Sequence, residues 1–224
     1  MKKQTLLAAP ILAAAIAYSP LASAAVISQT LGGIDFADGA NAPTGTFNTA
    51  NAAQPPPFNA FIGSDVSGPN FSASWTFSYG AVAGVISSAT LQIGLADGDS
   101  VAAGNQVASY TVGGVDVTTL LNTVMEATQG ASGQENYYQI DLPSSVFSLL
   151  ALGNPTVSLT LQGPGHGVLG DTTFNGAGLD FSTITINTSG TVSSVPLPSA
   201  LPLFATGLSA LGLLGWRRKR KAAA

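Results

Sequence analysis

The feature that most constrains this chain is a strict alternation of apolar and hydroxyl-bearing residues. Between residues 71 and 79, odd positions hold Phe, Ala, Trp or Tyr, and even positions hold Ser or Thr. A two-residue period is typical of a β-strand with one buried face and one face in water. Similar segments occur at residues 89–95, 107–112, 137–142, 156–162 and 181–188. Because such strands pair in antiparallel sheets, the pattern predicts a mainly β fold, an antiparallel β-sandwich of jelly-roll-like type.

Two short segments have helical rather than strand spacing. From Val117, apolar residues recur at i, i+3, i+4, i+7 and i+8, and Asp116 is placed to cap the first turn. Residues 144–152 predict one or two further helical turns. Residues 39–68, rich in Ala, Asn, Gly and Pro, and residues 163–178 predict two long surface loops. Three apolar side chains are expected to attach the first loop to the core, those of Phe58, Phe61 and Ile62.

The 224-residue chain separates its charges by position. All seven basic residues lie at the two ends, and none occurs between Lys3 and Arg217. The eleven acidic residues lie between Asp35 and Asp180. A domain without cations lacks the side chains that neutralise phosphates, which argues against nucleic-acid binding and nucleotide chemistry. The absence of Cys excludes a disulfide framework and thiolate metal sites.

The first 24 residues have the organisation of a secretory signal peptide. Two lysines precede an apolar stretch at residues 6–18, and Ala22 and Ala24 supply small side chains at positions −3 and −1. The sequence therefore predicts passage through the export machinery and cleavage by signal peptidase, which leaves Ala25 as the first residue. The alternative, an uncleaved membrane anchor, has an apolar stretch that is short for a membrane span.

The C-terminal segment has three parts in a fixed order. It begins with the motif Val195-Pro196-Leu197-Pro198. An apolar stretch of 17 residues, 200–216, follows and would form a helix of about 25 Å, close to the ~30 Å hydrocarbon core of a membrane. Trp216 suits the membrane interface, and a basic cluster comes next, made of Arg217, Arg218, Lys219, Arg220 and Lys221. The positive-inside rule holds this cluster in the cytoplasm, so we expect a transmembrane helix with the β domain outside.

This tail resembles the PEP-CTERM sorting signal of Gram-negative bacteria that make exopolysaccharide. The usual motif is Val-Pro-Glu-Pro, and Leu197 stands in the place of its Glu, as in a variant form. The resemblance implies that an exosortase, an integral-membrane cysteine protease, processes the chain near the motif. It also implies an inner-membrane intermediate, followed by release to the cell surface or medium in association with exopolysaccharide or biofilm.

Four segments follow from these observations. They are a signal peptide at residues 1–24, a β-sandwich domain at 25–188, a Ser/Thr-rich linker at 189–194 and the sorting tail at 195–224.

Few residues of the β domain are candidates for binding. Asp97 and Asp99 flank Gly98 and would present two carboxylates to a hard cation such as Ca²⁺, although an ordinary Asp-Gly turn between strands is the favoured explanation. Tyr137 and Tyr138 are adjacent on a predicted strand, so one of them faces outward and offers an aromatic face to a sugar ring. The cation site and the sugar-stacking site would both suit a secreted domain that contacts polysaccharide.

Candidates for catalysis are fewer still. His166 is the only histidine, and it lies in a Gly-rich loop. The chain also lacks the Gly-x-Ser-x-Gly motif that would mark a nucleophilic serine, so a Ser-His-Asp triad is not expected. Trp75 belongs to the alternating segment and is expected in the core. The sequence therefore predicts a non-enzymatic matrix protein with no cofactor other than Ca²⁺.

Two other classes stay open. A carbohydrate-active hydrolase or lyase would need two acids facing one cleft. A Ca²⁺-dependent adhesion or assembly module would need a cation site in the native state.

Overall fold

A computed structural model describes residues 24–98, 104–128, 131, 133–163 and 174–190. All of these residues lie within one unit, Ser23–Thr191. The predicted signal peptide cleavage motif before Ala24 and the whole sorting tail, with its predicted transmembrane helix, fall outside the described residues. Among the described residues, no helix is long and apolar enough to cross a membrane.

The described chain forms two antiparallel sheets. The first contains β1 (Val26–Gly32), β2 (Phe61–Ile62), β4 (Val85–Ala96), β7 (Glu135–Asp141) and β9 (Ala177–Ser189). Its order is β1-β9-β4-β7, and β2 also pairs with β9. The second contains β3 (Ser72–Thr76), β5 (Val107–Val112), β6 (Val115–Asp116) and β8 (Thr156–Leu161), in the order β3-β8-β5-β6. Every strand pair in both sheets is antiparallel.

The two sheets share one apolar core. The first sheet contributes buried side chains that include Leu91, Ile93, Tyr138 and Ile184, and the second contributes Trp75, Tyr110, Val157 and Leu159. On β3 and β8, the Ser and Thr residues that alternate with the apolar ones are half-buried or exposed on the outer face. This arrangement is sandwich-like and confirms the predicted mainly β, antiparallel fold, including the core position of Trp75. All six predicted strands are present; β5 has the predicted ends, and the other five are shifted at one or both ends.

Three short helices connect the strands of the described chain. They are α1 (Thr44–Asn51), α2 (Thr118–Thr128) and α3 (Phe147–Leu150), the last preceded by a 3-10 turn at Ser144–Val146. The predicted cap of α2 is confirmed, because Asp116 Oδ1 accepts a hydrogen bond of 2.9 Å from the Thr118 N–H. One detail of the α2 prediction is wrong: Leu120 is 39% exposed, since the buried face of the helix runs through Leu121 and Met125.

The predicted surface loop at residues 39–68 is wrong, because it contains the helix α1 and the short strand β2. The part that contains α1 packs on the outer face of the first sheet, where Ala42, Phe47 and Asn51 are fully buried. We call residues 33–60 the cover segment. Helix α1 consists mainly of Thr, Asn and Gly, which are poor helix formers, so its sequence does not signal a helix. Packing of the Phe47 ring against Gly178 of β9 stabilises it instead.

Candidate functional site

Rows of hydroxyl groups cross the outer face of the second sheet. Hydrogen bonds of 2.9–3.0 Å join β3 to β8 in three pairs, Ser72 with Thr160, Ser74 with Ser158, and Thr76 with Thr156. The register of β5 extends the first two rows to Ser109 and Thr111. Ser74 Oγ also donates to the carbonyl oxygen of Val157 at 3.0 Å. Because a hydroxyl group has one donor and two acceptor positions, each hydroxyl group of the three pairs keeps at least one acceptor position for a ligand. The rows contain no charged side chain.

A cleft of about 560 Å³ lies beside these rows, between α2 and β5. Val107 and Ala108 supply its apolar surface. The other lining side chains carry hydroxyl, amide or carboxyl groups and are Asn105, Thr118, Thr119, Asn122, Thr123, Glu126 and Gln162. The chemistry of this lining matches that of a sugar, which offers hydroxyl groups around a weakly apolar ring.

Asn122 holds the cleft together from inside α2. Its Oδ1 accepts hydrogen bonds from the backbone N–H groups of Gln106 (3.0 Å) and Val107 (2.9 Å). Its Nδ2 donates to the carbonyl oxygen of Val107 at 3.1 Å. The residue therefore fixes the start of β5 against the helix. The sequence analysis did not select Asn122. Its only signal in the sequence is that a polar residue stands directly after Leu121, on the edge of the apolar face of the helix.

Two fully buried carboxyl groups, those of Glu135 and Asp180, meet beneath the cover segment. Asp180 Oδ2 accepts hydrogen bonds from the backbone N–H groups of Asp35 (3.0 Å) and Phe36 (3.4 Å). Asp180 Oδ1 accepts one from Asn51 Nδ2 at 3.0 Å. Among the described residues, neither carboxyl oxygen of Glu135 has a hydrogen-bond partner.

The pKa values in this cluster are displaced upward. Burial raises the pKa of Glu135 to about 9, and the negative charges of Asp180 and Asp38 add to the effect. Burial also raises the pKa of Asp180, with a contribution from the charge of Asp35, while the hydrogen bonds to its carboxylate oppose the shift. The Glu135 carboxyl group is therefore protonated at neutral pH.

Paired carboxyl groups of different pKa can act as acid and base. Glycoside hydrolysis also requires both of them to face the sugar. In this conformation Glu135 and Asp180 lie under the cover segment with 0% of either residue exposed, so neither reaches a polymer. Sequence reasoning did not select this pair, because eleven acids allow many pairs and only the fold shows which ones converge.

The two tyrosines of the predicted glycan platform occupy different environments. Tyr138 is buried in the core. Tyr137 lies on the opposite face of β7, under the cover segment, where its hydroxyl group donates to the Phe36 carbonyl oxygen. Its ring meets the Phe181 ring edge-on, at a centroid distance of 4.8 Å. The tyrosine with the outward orientation is thus only partly exposed in this conformation.

Of the two predicted cation ligands, only Asp97 lies among the described residues. It turns the chain with a φ of +58°, and its Oδ1 accepts a hydrogen bond of 2.6 Å from the Gly133 N–H. Asp99 and His166 fall outside the described part of the chain. Within that part, no group of three or more His, Cys, Asp or Glu residues is arranged to hold a metal ion.

The predicted mature N-terminus adjoins the first strand. The Ala25 N–H donates to Thr188 Oγ1 at 3.0 Å, and β1 begins at Val26, so cleavage after Ala24 leaves β1 whole. The sorting motif, Trp216 and the basic cluster at 217–221 fall outside the described residues.

No protein-family model matches this chain, and no curated protein matches it significantly. Its function is therefore inferred from its own residues. The hydroxyl rows and the cleft of the second sheet are the surface that bears most directly on binding.

Proposed function

We propose that this chain is an exported, non-enzymatic β-sandwich protein of jelly-roll type that binds an uncharged polysaccharide of the extracellular matrix. The observation that carries the proposal is the set of uncharged hydroxyl rows on the second sheet, beside a cleft lined mainly by amide and hydroxyl groups with one carboxyl group, that of Glu126. Both features belong to a domain that contains no Lys or Arg.

Charge selects the class of polysaccharide. Eleven acidic residues without a cation repel an anionic polymer. Hydroxyl and amide groups exchange neutral hydrogen bonds with sugar hydroxyls and carry no such penalty. A sheet face also repeats its outward side chains every second residue, about 7 Å along a strand. An extended glycan chain can therefore lie along a strand, contact successive rows and place a terminal or branching sugar in the cleft.

The ends of the chain support export and sorting. The resemblance of the tail to the PEP-CTERM signal indicates an exosortase as the processing partner, after signal peptidase has acted at Ala24. The two prolines of the motif favour an extended backbone, which is the conformation a protease cleft accepts. The apolar stretch at 200–216 holds this motif at the inner membrane until processing, and the product then reaches the cell surface or medium.

Retention on insoluble polysaccharides tests the binding proposal. The protein is mixed with cellulose as a neutral probe and with calcium-free alginate beads, covalently cross-linked, as an anionic probe. We expect retention on cellulose or another neutral glucan, equal in Ca²⁺ and in EDTA, and none on alginate. Failure to bind any neutral glucan contradicts the proposal. Retention only in Ca²⁺ supports the alternative of a Ca²⁺-dependent adhesion module.

A further inference from the structure

The cover segment is attached to the first sheet around the Glu135 carboxyl group. The Gly39 N–H donates to the carbonyl oxygen of Glu135 at 2.7 Å, and the Glu135 N–H donates to that of Ala40 at 2.8 Å. The Ala42 N–H donates to the carbonyl oxygen of Gly133 at 2.9 Å. Residues 39–42 of the cover segment thus pair with the start of β7 through backbone hydrogen bonds, next to the buried Glu135 side chain.

We propose that Glu135, Asp180 and the cover segment form a pH-operated latch, which is closed while Glu135 carries a proton and weakens as the pH rises. This inference is independent of polysaccharide binding. It rests on a carboxyl group that is wholly buried, lacks a hydrogen-bond partner among the described residues, and lies beside a second buried carboxyl group.

No neighbouring group compensates a charge on Glu135. Facing it are Asp180 of β9, Asp38 of the cover segment and Tyr137 of its own strand, while β4 presents the uncharged residues Ala96 and Gly94. Asp35 acts on the cluster through Asp180. All of these titratable groups are acids, and the sequence between Lys3 and Arg217 contains no Lys or Arg. A buried, unpaired carboxylate is strongly unfavourable, so the closed state keeps Glu135 neutral.

Opening of the cover segment lets water reach Glu135, which then ionises as an ordinary glutamate and releases one proton. In the closed state the pKa of Glu135 is about 9. Between the ordinary glutamate pKa of ~4.3 and this value, each pH unit favours the open state by up to about tenfold. The latch therefore responds across pH 5–9. Opening uncovers the Tyr137 and Phe181 rings.

Hydrogen–deuterium exchange of the full chain tests the latch. The informative amides are those of Gly39 and Ala42, compared between wild type and Glu135→Gln at the same pH, so that the intrinsic exchange rate cancels. We expect the wild-type to variant ratio of exchange rates to rise by up to about tenfold per pH unit from pH 5 to 8. Asp141→Asn, an exposed acid at the end of β7, serves as the matched control and should follow wild type.

A ratio that does not change with pH overturns the proposal. Equal opening free energies at the Gly39 and Ala42 amides and at the core amides of β4 and β9 also overturn it, because the cover segment would then open only by global unfolding. If Glu135→Gln does not fold, Glu135→Met removes the same proton site with a side chain of similar volume. The pH dependence of the wild-type amides, corrected for intrinsic exchange, remains informative without any variant.

Discussion

The carboxyl group of Glu135 occupies the space that a side chain at Gly94 would fill. A Cβ atom built on Gly94 collides with Oε1 of Glu135 and lies 2.5 Å from Cε1 of Phe181. The two residues are on adjacent strands of the first sheet, and their relationship explains a glycine in the middle of β4, where strands ordinarily avoid it. The Glu135 carboxyl group can therefore occupy its buried position only because residue 94 has no side chain.

Gly94→Ala should destabilise the protein by about 1–3 kcal/mol, because the added Cβ collides with the Glu135 carboxyl group and the Phe181 ring, which are both fully buried and would have to shift. Gly45→Ala is the control. Gly45 lies in α1, where an added Cβ meets nothing within 4 Å, so alanine should be neutral or stabilise by up to about 1 kcal/mol. Urea denaturation measures both. If the two substitutions change the free energy of unfolding by similar amounts, the predicted collision at Gly94 is contradicted.

Glu135→Gln should flatten the dependence of unfolding free energy on pH. Because the folded state raises the pKa of Glu135, it binds more protons than the unfolded state between the two pKa values, and stability falls as pH rises through this range. Wild type should lose up to about 1.4 kcal/mol per pH unit from pH 5 to 8. Asp180 contributes a smaller residual slope in the variant. Parallel pH profiles for wild type and variant would contradict this account.

The sandwich was predictable because its strands alternate strictly. Segments such as 71–79 expose Ser and Thr and bury Phe and Trp, and a shift of one residue would bury every hydroxyl group. The turn between β5 and β6 has its own sequence signal, the pair Gly113-Gly114, and these glycines take the positive φ values of +60° and +85° that the turn requires. The two-residue strand β6 that follows it was not predicted.

The cover segment and the acid cluster were not predictable in the same way. Their residues lie far apart in the sequence, as Asn51 and Asp180 do, and only the pairing of β9 with its neighbours brings them together. Asp180 also lies at an irregularity in the register of β9 against β4, where alternation fails. Helix α1 depends on tertiary packing rather than on its own composition.

Asn122→Ala should destabilise the protein by about 2–4 kcal/mol, because it leaves the backbone N–H groups of Gln106 and Val107 without their acceptor. The same substitution should weaken sugar binding, since the start of β5 forms part of the cleft. Thr119→Ala, at an exposed position on the same helix, should change stability by less than about 0.5 kcal/mol. A small effect of Asn122→Ala in thermal or urea unfolding would mean that the helix does not hold β5.

Removal of the central hydroxyl row should weaken retention on a neutral glucan. The double variant Ser74→Ala/Ser158→Ala loses two groups that can bind the ligand, each contributing about 1 kcal/mol, so the affinity should fall by roughly tenfold or more. The control is Ser28→Ala/Thr185→Ala, which removes an equivalent cross-strand pair from the first sheet. Equal losses in the two variants, or none in either, would show that the second sheet is not the binding face.

The most direct test of the account is the intact mass of the protein recovered from the extracellular polysaccharide of the producing cell. The account predicts a chain that begins at Ala25, ends near Pro196–Ser199 and co-purifies with that polysaccharide. A chain that retains Arg217–Lys221 and is found only in the inner membrane would contradict it, because the tail would then be a permanent anchor and the domain would not reach the matrix.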